Sequence, residues 1–177
     1  MATEIMIKNA RLSYPHLFTA SAFAPGQDPK YSASFLIPED DKQVKEIEAA
    51  LLEAVEAKWP GKGAKMLASF ETRAKAVKLG SKVKPDDETY DNQIVISANN
   101  KSRPLVVNKD RTPLSEDDGV IYAGCRVNAK VRFYAYDNVS KGVSAQLLGV
   151  QFFGDDSPLA GSAVAKTYDF DDLSDDL

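Results

Sequence analysis

Between residues 125 and 136 the chain reads CRVNAKVRFYAY, a strict period-two alternation. A β-strand turns successive side chains to opposite faces, so the pattern demands a sheet with one dry face and one wet face. Cys125, Val127, Ala129, Val131, Phe133 and Ala135 take the dry side; Arg126, Asn128, Lys130, Arg132, Tyr134 and Tyr136 take the wet one. The wet side carries three cations and two rings, with no acid before Asp137. Cations suit a phosphate backbone, and flat rings offer a surface on which unstacked bases can lie. The same residues also suit an exposed sheet edge, where Lys and Arg discourage edge-to-edge pairing. The rest of the chain has to separate the two.

Further strands surround this one. Residues 4–14 (EIMIKNARLSY) read as a first strand that Pro15 should stop, and residues 16–29 hold enough Pro and Gly to predict a loop. Residues 30–37 (KYSASFLI) alternate again, with Tyr31, Ala33, Phe35 and Ile37 on one face and Lys30, Ser32, Ser34 and Leu36 on the other. The small serines should leave that second face open to a ligand backbone. Asp40 with Gln43 resembles a capping box, and Val44, Ile47, Leu51, Ala54 and Val55 then recur at helical spacing. This predicts an amphipathic helix over about 40–58 that covers the sheet, broken by Trp59-Pro60-Gly61. Residues 93–98 and 104–107 read as short strands around a turn at Asn99-Asn100. Residues 143–153 form a last strand, antiparallel to 125–136, with Gly149 marking a bulge or tight bend. The sum is mainly β. A five-stranded, partly open barrel of the oligonucleotide-binding (OB) type, with an inserted helix and long loops, is the economical architecture.

A chain of 177 residues suits one domain with a tail. Its net charge of −4 argues at first against a polyanionic partner, but the charge is unevenly spread. Residues 155–177 hold seven acids and one base, leaving 19 of the 26 acids and 21 of the 22 bases to residues 1–154. The body is thus about +2 and the last segment −6. Within the body, residues 58–84 carry eight bases against Glu71 alone, an electrostatic footprint for a polyanion. Trp59 and Phe70 interleave with that run and are expected in the core. The single cysteine, Cys125, reads as a small core residue, and the lone His16 beside Pro15 as a packing residue. The acidic clusters at 86–88 and 116–118 adjoin Pro85 and Gly119, where turn chemistry explains them better than Mg²⁺ ligation. Neither a cofactor nor a metal is called for. No apolar run approaches the ~18 residues a bilayer span needs, so a cytoplasmic protein without membrane contact is expected.

Two units follow: a body of residues 1–154 and a flexible acidic tail of residues 155–177. The leading candidates for contact with single-stranded DNA are Arg126, Lys130 and Arg132 for phosphates, and Tyr134 and Tyr136 for bases. Lys8, Lys30, Lys101 and Arg103 come second, with Tyr14, Phe18 and Tyr31 as further rings. In the tail, Asp169, Asp171, Asp172, Asp175 and Asp176 alternate with Phe170, Leu173 and Leu177. Such a peptide can dock on partner proteins and also occupy the body's own basic groove.

The segments RLSYPHLF, PKYSASFLIP, YAGCRVNAKVRFYAYDN and KGVSAQLLGVQFF, together with the acidic end, resemble a family of bacteriophage single-stranded-DNA-binding proteins. The resemblance spans most of the chain and is most specific in the YAGC…YAYDN block. It implies an OB fold, no enzymatic activity and a role in phage replication, recombination or repair in the host cytoplasm. It also implies a tail that recruits replication and recombination proteins, although this tail ends in Leu177 rather than the phenylalanine common in counterparts. Monomer and homodimer both stay open. Two rivals come from other classes. A metal-dependent nuclease would cleave strands in Mg²⁺ and lose that activity with Asp86–Glu88 or Glu116–Asp118; a structural phage protein would shift no oligonucleotide.

Overall fold

The first strand, β1 (Thr3–Ser21), is long enough to serve two neighbours. Its first half pairs with β6 (Arg126–Asp137) and its second half with β2 (Lys30–Pro38), both antiparallel. Between the halves the strand bends, with register shifts at Ile7/Ala10 and Ser13/His16 and left-handed backbone at Asn9 (φ 53°) and Tyr14 (φ 47°). Pro15 lies inside the second shift and does not stop the strand, contrary to the sequence expectation. A bulged residue makes no ladder hydrogen bond, so proline's missing N–H costs nothing there. The predicted loop therefore shortens to the residues after Ser21.

The structure, a computed structural model, describes residues 3–22, 24–159 and 169–174. After β2 come α1 (Gln43–Lys58), α2 (Gly63–Ser69), β3 (Val77–Leu79), α3 (Gly80–Val83), β4 (Gln93–Asn100), β5 (Leu105–Val107), β6 and β7 (Lys141–Gly154). The sheet runs β3-β4-β2-β1-β6-β7-β5, and a parallel pairing of β4 with β7 at Asn99 and Gln146 closes five of these strands into a barrel. The Asn100 side chain reinforces this thin seam by donating to the Leu147 carbonyl at 2.9 Å. Asn99 and Asn100 are thus strand residues, and the expected turn falls two residues later. β3 and β5, one on each flank, extend the sheet beyond the barrel.

The alternation of β6 holds in three dimensions. Cys125, Val127, Ala129, Val131 and Phe133 are fully buried, and Ala135 is half-buried. Facing them are Phe35, Ile37, Ile96, Ala145, Leu147 and Val150 from the other barrel strands. Each large side chain fully removed from water contributes roughly 1.5–3 kcal/mol, so one face of each strand suffices to define the core. Ile47, Leu51, Ala54 and Val55 bring one face of α1 into the same core. Trp59 and Phe70 meet edge to face with centroids 5.9 Å apart; Phe70 enters the core and Trp59 packs, partly buried, against it.

The capping box expected from Asp40 and Gln43 does not form. Gln43 instead clasps the β1 bend: its Oε1 accepts from the Lys8 N–H and its Nε2 donates to the Lys8 carbonyl, both at 2.8 Å. The outer face of β2 is also less open than its serines suggest. Leu36 is buried in a satellite cluster with Tyr90 and Val95, and Ser13 Oγ lies 2.6 Å from the Tyr90 hydroxyl. On β7 the register shifts between Lys130/Gly149 and Val131/Leu147, a bulge whose extra residue, Leu148, adjoins the predicted glycine. A side chain at Gly149 would press on the Leu105 carbonyl, so the glycine also lets β5 lie close.

Candidate nucleic-acid interface

Barrel closure gathers a set of side chains that are far apart in the chain. Arg132 of β6 stands opposite Gln146 of β7, Gln146 lies beside Asn99 of β4, and Asn100 pairs with Tyr31 just after Lys30. Arg132, Gln146, Asn99, Asn100 and Lys30, together with Tyr134, Lys101 and Ser102, line an open groove of about 400 Å³. Next in the chain after Ser102, the Arg103 guanidinium lies 6.0 Å from the centroid of the Tyr31 ring and donates to the Phe18 carbonyl at 3.0 Å. Among the described residues no acid lines this groove. Four of the sequence candidates (Lys30, Lys101, Arg132 and Tyr134) thus meet in one groove, while a fifth, Arg103, sits against Tyr31 and Phe18.

Two atoms in the groove lack a partner. Arg132 Nε and Gln146 Oε1 are buried without a hydrogen bond among the described residues. Leaving such a group unsatisfied costs about 1–3 kcal/mol, more where charge is involved. Both atoms belong to groove-lining residues that stand opposite one another on β6 and β7, so an unused donor and an unused acceptor lie side by side in the barrel wall.

The remaining candidates separate from this cluster. Lys130 is exposed and 3.4 Å from Glu4; with Met6, Leu105 and Leu148 it lines a neighbouring, largely apolar cleft of about 400 Å³. In that cleft the Asn128 and Gln151 amides are engaged with one another at 3.2 Å. Tyr136 is half-buried over Gly142 and opens on a third cleft at the far end of the strand. The Lys8 backbone is held by Gln43 and its side chain is exposed. Tyr14 is exposed, with the Lys84 ammonium 4.9 Å from its centroid. Within the basic run, Lys78 is partly buried, and burial lowers its pKa. The acidic clusters serve their own turns: Asp87 accepts from the Thr89 N–H at 3.0 Å, and Asp118 from the Ser115 N–H at 2.7 Å. Among the described residues no group of three His, Cys, Asp or Glu converges to hold a metal, and no helix is long and apolar enough to cross a membrane.

Arg126 serves a different purpose. It stands opposite Arg11, and the Asp156 carboxylate lies 2.9 Å from Arg126 and 4.0 Å from Arg11. The Leu159 N–H donates to the Ala123 carbonyl, and the Tyr122 hydroxyl lies 2.9 Å from Asp155 and 3.0 Å from the Asp156 carbonyl. Burial pushes the Tyr122 hydroxyl up to about 12, so it stays neutral in this contact. Residues 155–159 are therefore clamped to the body, and the contacts continue past the boundary expected at 154. The Ser157 N–H, then Arg126 and Arg11, hold the Asp156 carboxyl below its ordinary 3.8 against the opposing effect of partial burial. A carboxyl whose pKa is depressed by folding stabilises fully above its ordinary value and ceases to do so as pH falls through the lower one. Asp156→Asn should lower stability at pH 7 by under about 1 kcal/mol, since both partners are a third exposed. Thermal melts of variant and parent should converge as pH falls below 3.8, as the depressed carboxyl takes up its proton. Of the tail candidates, Asp169, Phe170, Asp171 and Asp172 are exposed, as is Leu173, whereas Asp175, Asp176 and Leu177 lie outside the described residues.

Sequence reasoning missed Asn99, Asn100, Ser102 and Gln146. Gln146 had a readable signal, a polar residue at an outward position of an alternating strand. The asparagines had none, because N-N after a short apolar run reads as a turn.

Comparison with known proteins agrees with this geometry. The family model described as "Enterobacter phage Enc34, ssDNA-binding protein" matches residues 3–177. Protein p50 of Acyrthosiphon pisum secondary endosymbiont phage 1 is 40% identical over 173 residues, covering 97% of this chain and 94% of the relative. The single-stranded DNA-binding protein from bacteriophage Enc34, solved in complex with ssDNA, superposes with a TM-score of 0.78 at 30% identity, over 89% of this chain and 90% of that one. The gp2.5 single-stranded DNA-binding protein of bacteriophage T7 shares the fold at 13% identity, with a TM-score of 0.61 over 100% and 96% of the two chains. With a barrel of the same shape and a family match across its described length, the chain belongs to the family of the Enterobacter phage Enc34 ssDNA-binding protein.

Proposed function

We propose that this protein binds single-stranded DNA without strong sequence preference, in the groove at the barrel seam, and that it does so in phage replication and recombination. The observation that carries the reading is the groove itself: Lys30, Lys101 and Arg132 in its lining, Tyr134 beside them, and an Arg132 Nε and Gln146 Oε1 that have no hydrogen bond among the described residues. Arg132, Lys30, Lys101 and Arg103 take phosphates, while Tyr134 stacks on a base. Arg126 and Lys130, each in an ion pair, add charge at longer range. Every base has a π-face, so binding by stacking and phosphate contact is tolerant of sequence. Enc34's protein, a 30% identical relative, has been solved with ssDNA bound, which supports the same ligand here.

The acidic tail competes for this groove and presents Phe170, Leu173 and Leu177 to partner proteins of replication and recombination. Tethering holds such a peptide at an effective concentration of order mM. Both ideas meet in one titration. Fluorescence with poly-dT should show tight binding that weakens with salt, log K falling against log salt with a slope of about −3 for four neutralised phosphates. Duplex should bind far more weakly. Changing the five tail aspartates to asparagine in the full chain should tighten binding at low salt and change little at high salt. Equal affinity for duplex and single strand would count against the groove, and an unaltered low-salt affinity would count against the competing tail.

A further inference from the structure

We infer that the single strand continues beyond the seam groove into a second station, the cleft between the end of the β6–β7 hairpin and the segment that follows α2. This rests on the single-stranded-DNA reading above and extends it. The cleft is the larger of the two, about 700 Å³, with Tyr136, Arg73 and Lys141 around a partly apolar floor of Met66 and Phe70. Nothing in the seam groove uses these residues.

Three observations point there. First, Tyr136 follows Tyr134 on the outward face of one strand, at a Cα spacing of roughly 6.6 Å from two strand rises. That is within the reach of adjacent nucleotides in an unstacked strand, so a chain lying on Tyr134 meets Tyr136 next. Second, the Tyr136 ring is braced. It packs over Gly142, its cross-strand neighbour, where even a methyl group would collide with the ring. A ring already fixed in place gives up little conformational entropy when a base stacks on it. Third, the cleft draws on the one strongly basic stretch of the sequence, residues 58–84, which the seam groove leaves idle. Arg73 projects from it into water, and among the described residues its ion-pair partner is Glu71, itself largely exposed. An ion pair that open is worth little, so a phosphate can displace Glu71 from Arg73. Lys141 faces it from the first residue of β7.

The test uses the full chain, dT oligonucleotides of increasing length, and the double variant Arg73→Ala/Lys141→Ala. Both side chains are exposed, so thermal melts should be unchanged. The shortest oligonucleotides that bind should bind variant and parent alike. Above the length that spans both stations the parent should gain affinity and the variant should not. At 0.1 M salt the difference should reach roughly 25-fold, with a salt slope shallower by about 1.4, as for two lost phosphate contacts on a single strand. Lys62→Ala/Lys65→Ala, which removes the same charge from the same basic run outside the cleft, should show no such length dependence. A double variant that follows the parent at every length overturns the second station, as does one that loses affinity equally at every length. A parent that binds no oligonucleotide overturns the seam groove as well, and is seen before any variant is compared.

Discussion

Arg132→Ala/Tyr134→Ala should weaken binding to poly-dT by about 10²–10³-fold while leaving the fold intact. Stacking on one ring is worth ~1–3 kcal/mol, and a hydrogen bond to a charged group ~1.5–3. The two residues share one groove, so their losses should not be fully additive. Stability should hold for a specific reason. Tyr134 is 36% exposed, and Arg132 Nε has no hydrogen bond among the described residues to lose. Removing a buried, unpartnered polar atom leaves the melting temperature unchanged or raises it. Fluorescence titration and a thermal melt on the same sample decide the matter. Affinity within threefold of the parent would remove the groove from the binding surface.

Phe133→Ala should do the opposite. Phe133 lies between these two residues in the chain, yet it faces the barrel interior and is fully buried. Its cross-strand neighbours are Thr3 and Ala145, too short to move in and fill the space. Truncating a buried phenylalanine costs about 3–5 kcal/mol, a large part of the roughly 5–15 kcal/mol that holds a domain together. Urea unfolding should show the midpoint fall, while the fraction still folded binds poly-dT with the parent's affinity. If Phe133→Ala spared stability and reduced affinity, the two faces of β6 would be wrongly assigned.

The contrast shows which parts of the molecule were legible before the structure. Period-two alternation identifies the strands and their dry faces, and helical spacing identifies α1, because side-chain direction follows from local backbone geometry alone. The bulge beside Gly149 and the placement of Cys125 and Phe70 in the core, with Trp59 packed against it, were legible for similar reasons. Pro15 misled because a proline stops a regular strand but not a bulged one. Asp40 and Gln43 misled because a capping box and a tertiary clasp look identical in sequence until Lys8 is known to be nearby.

Residues 125–136 on their own settle that cations and rings share one side of a ribbon whose other side is core, and the charge count settles that a basic body precedes an acidic end. Which of those cations are available was decided by contacts across the barrel. Arg126 is taken by Asp156 and Lys130 faces Glu4, while Arg132, already opposite Gln146 in the β6–β7 hairpin, is brought to Asn99 and Lys30 by the β4–β7 pairing that closes the seam. The physical reason is range. Side-chain facing is set within a few residues, but a site depends on register and closure between strands tens of residues apart, and no local pattern encodes those.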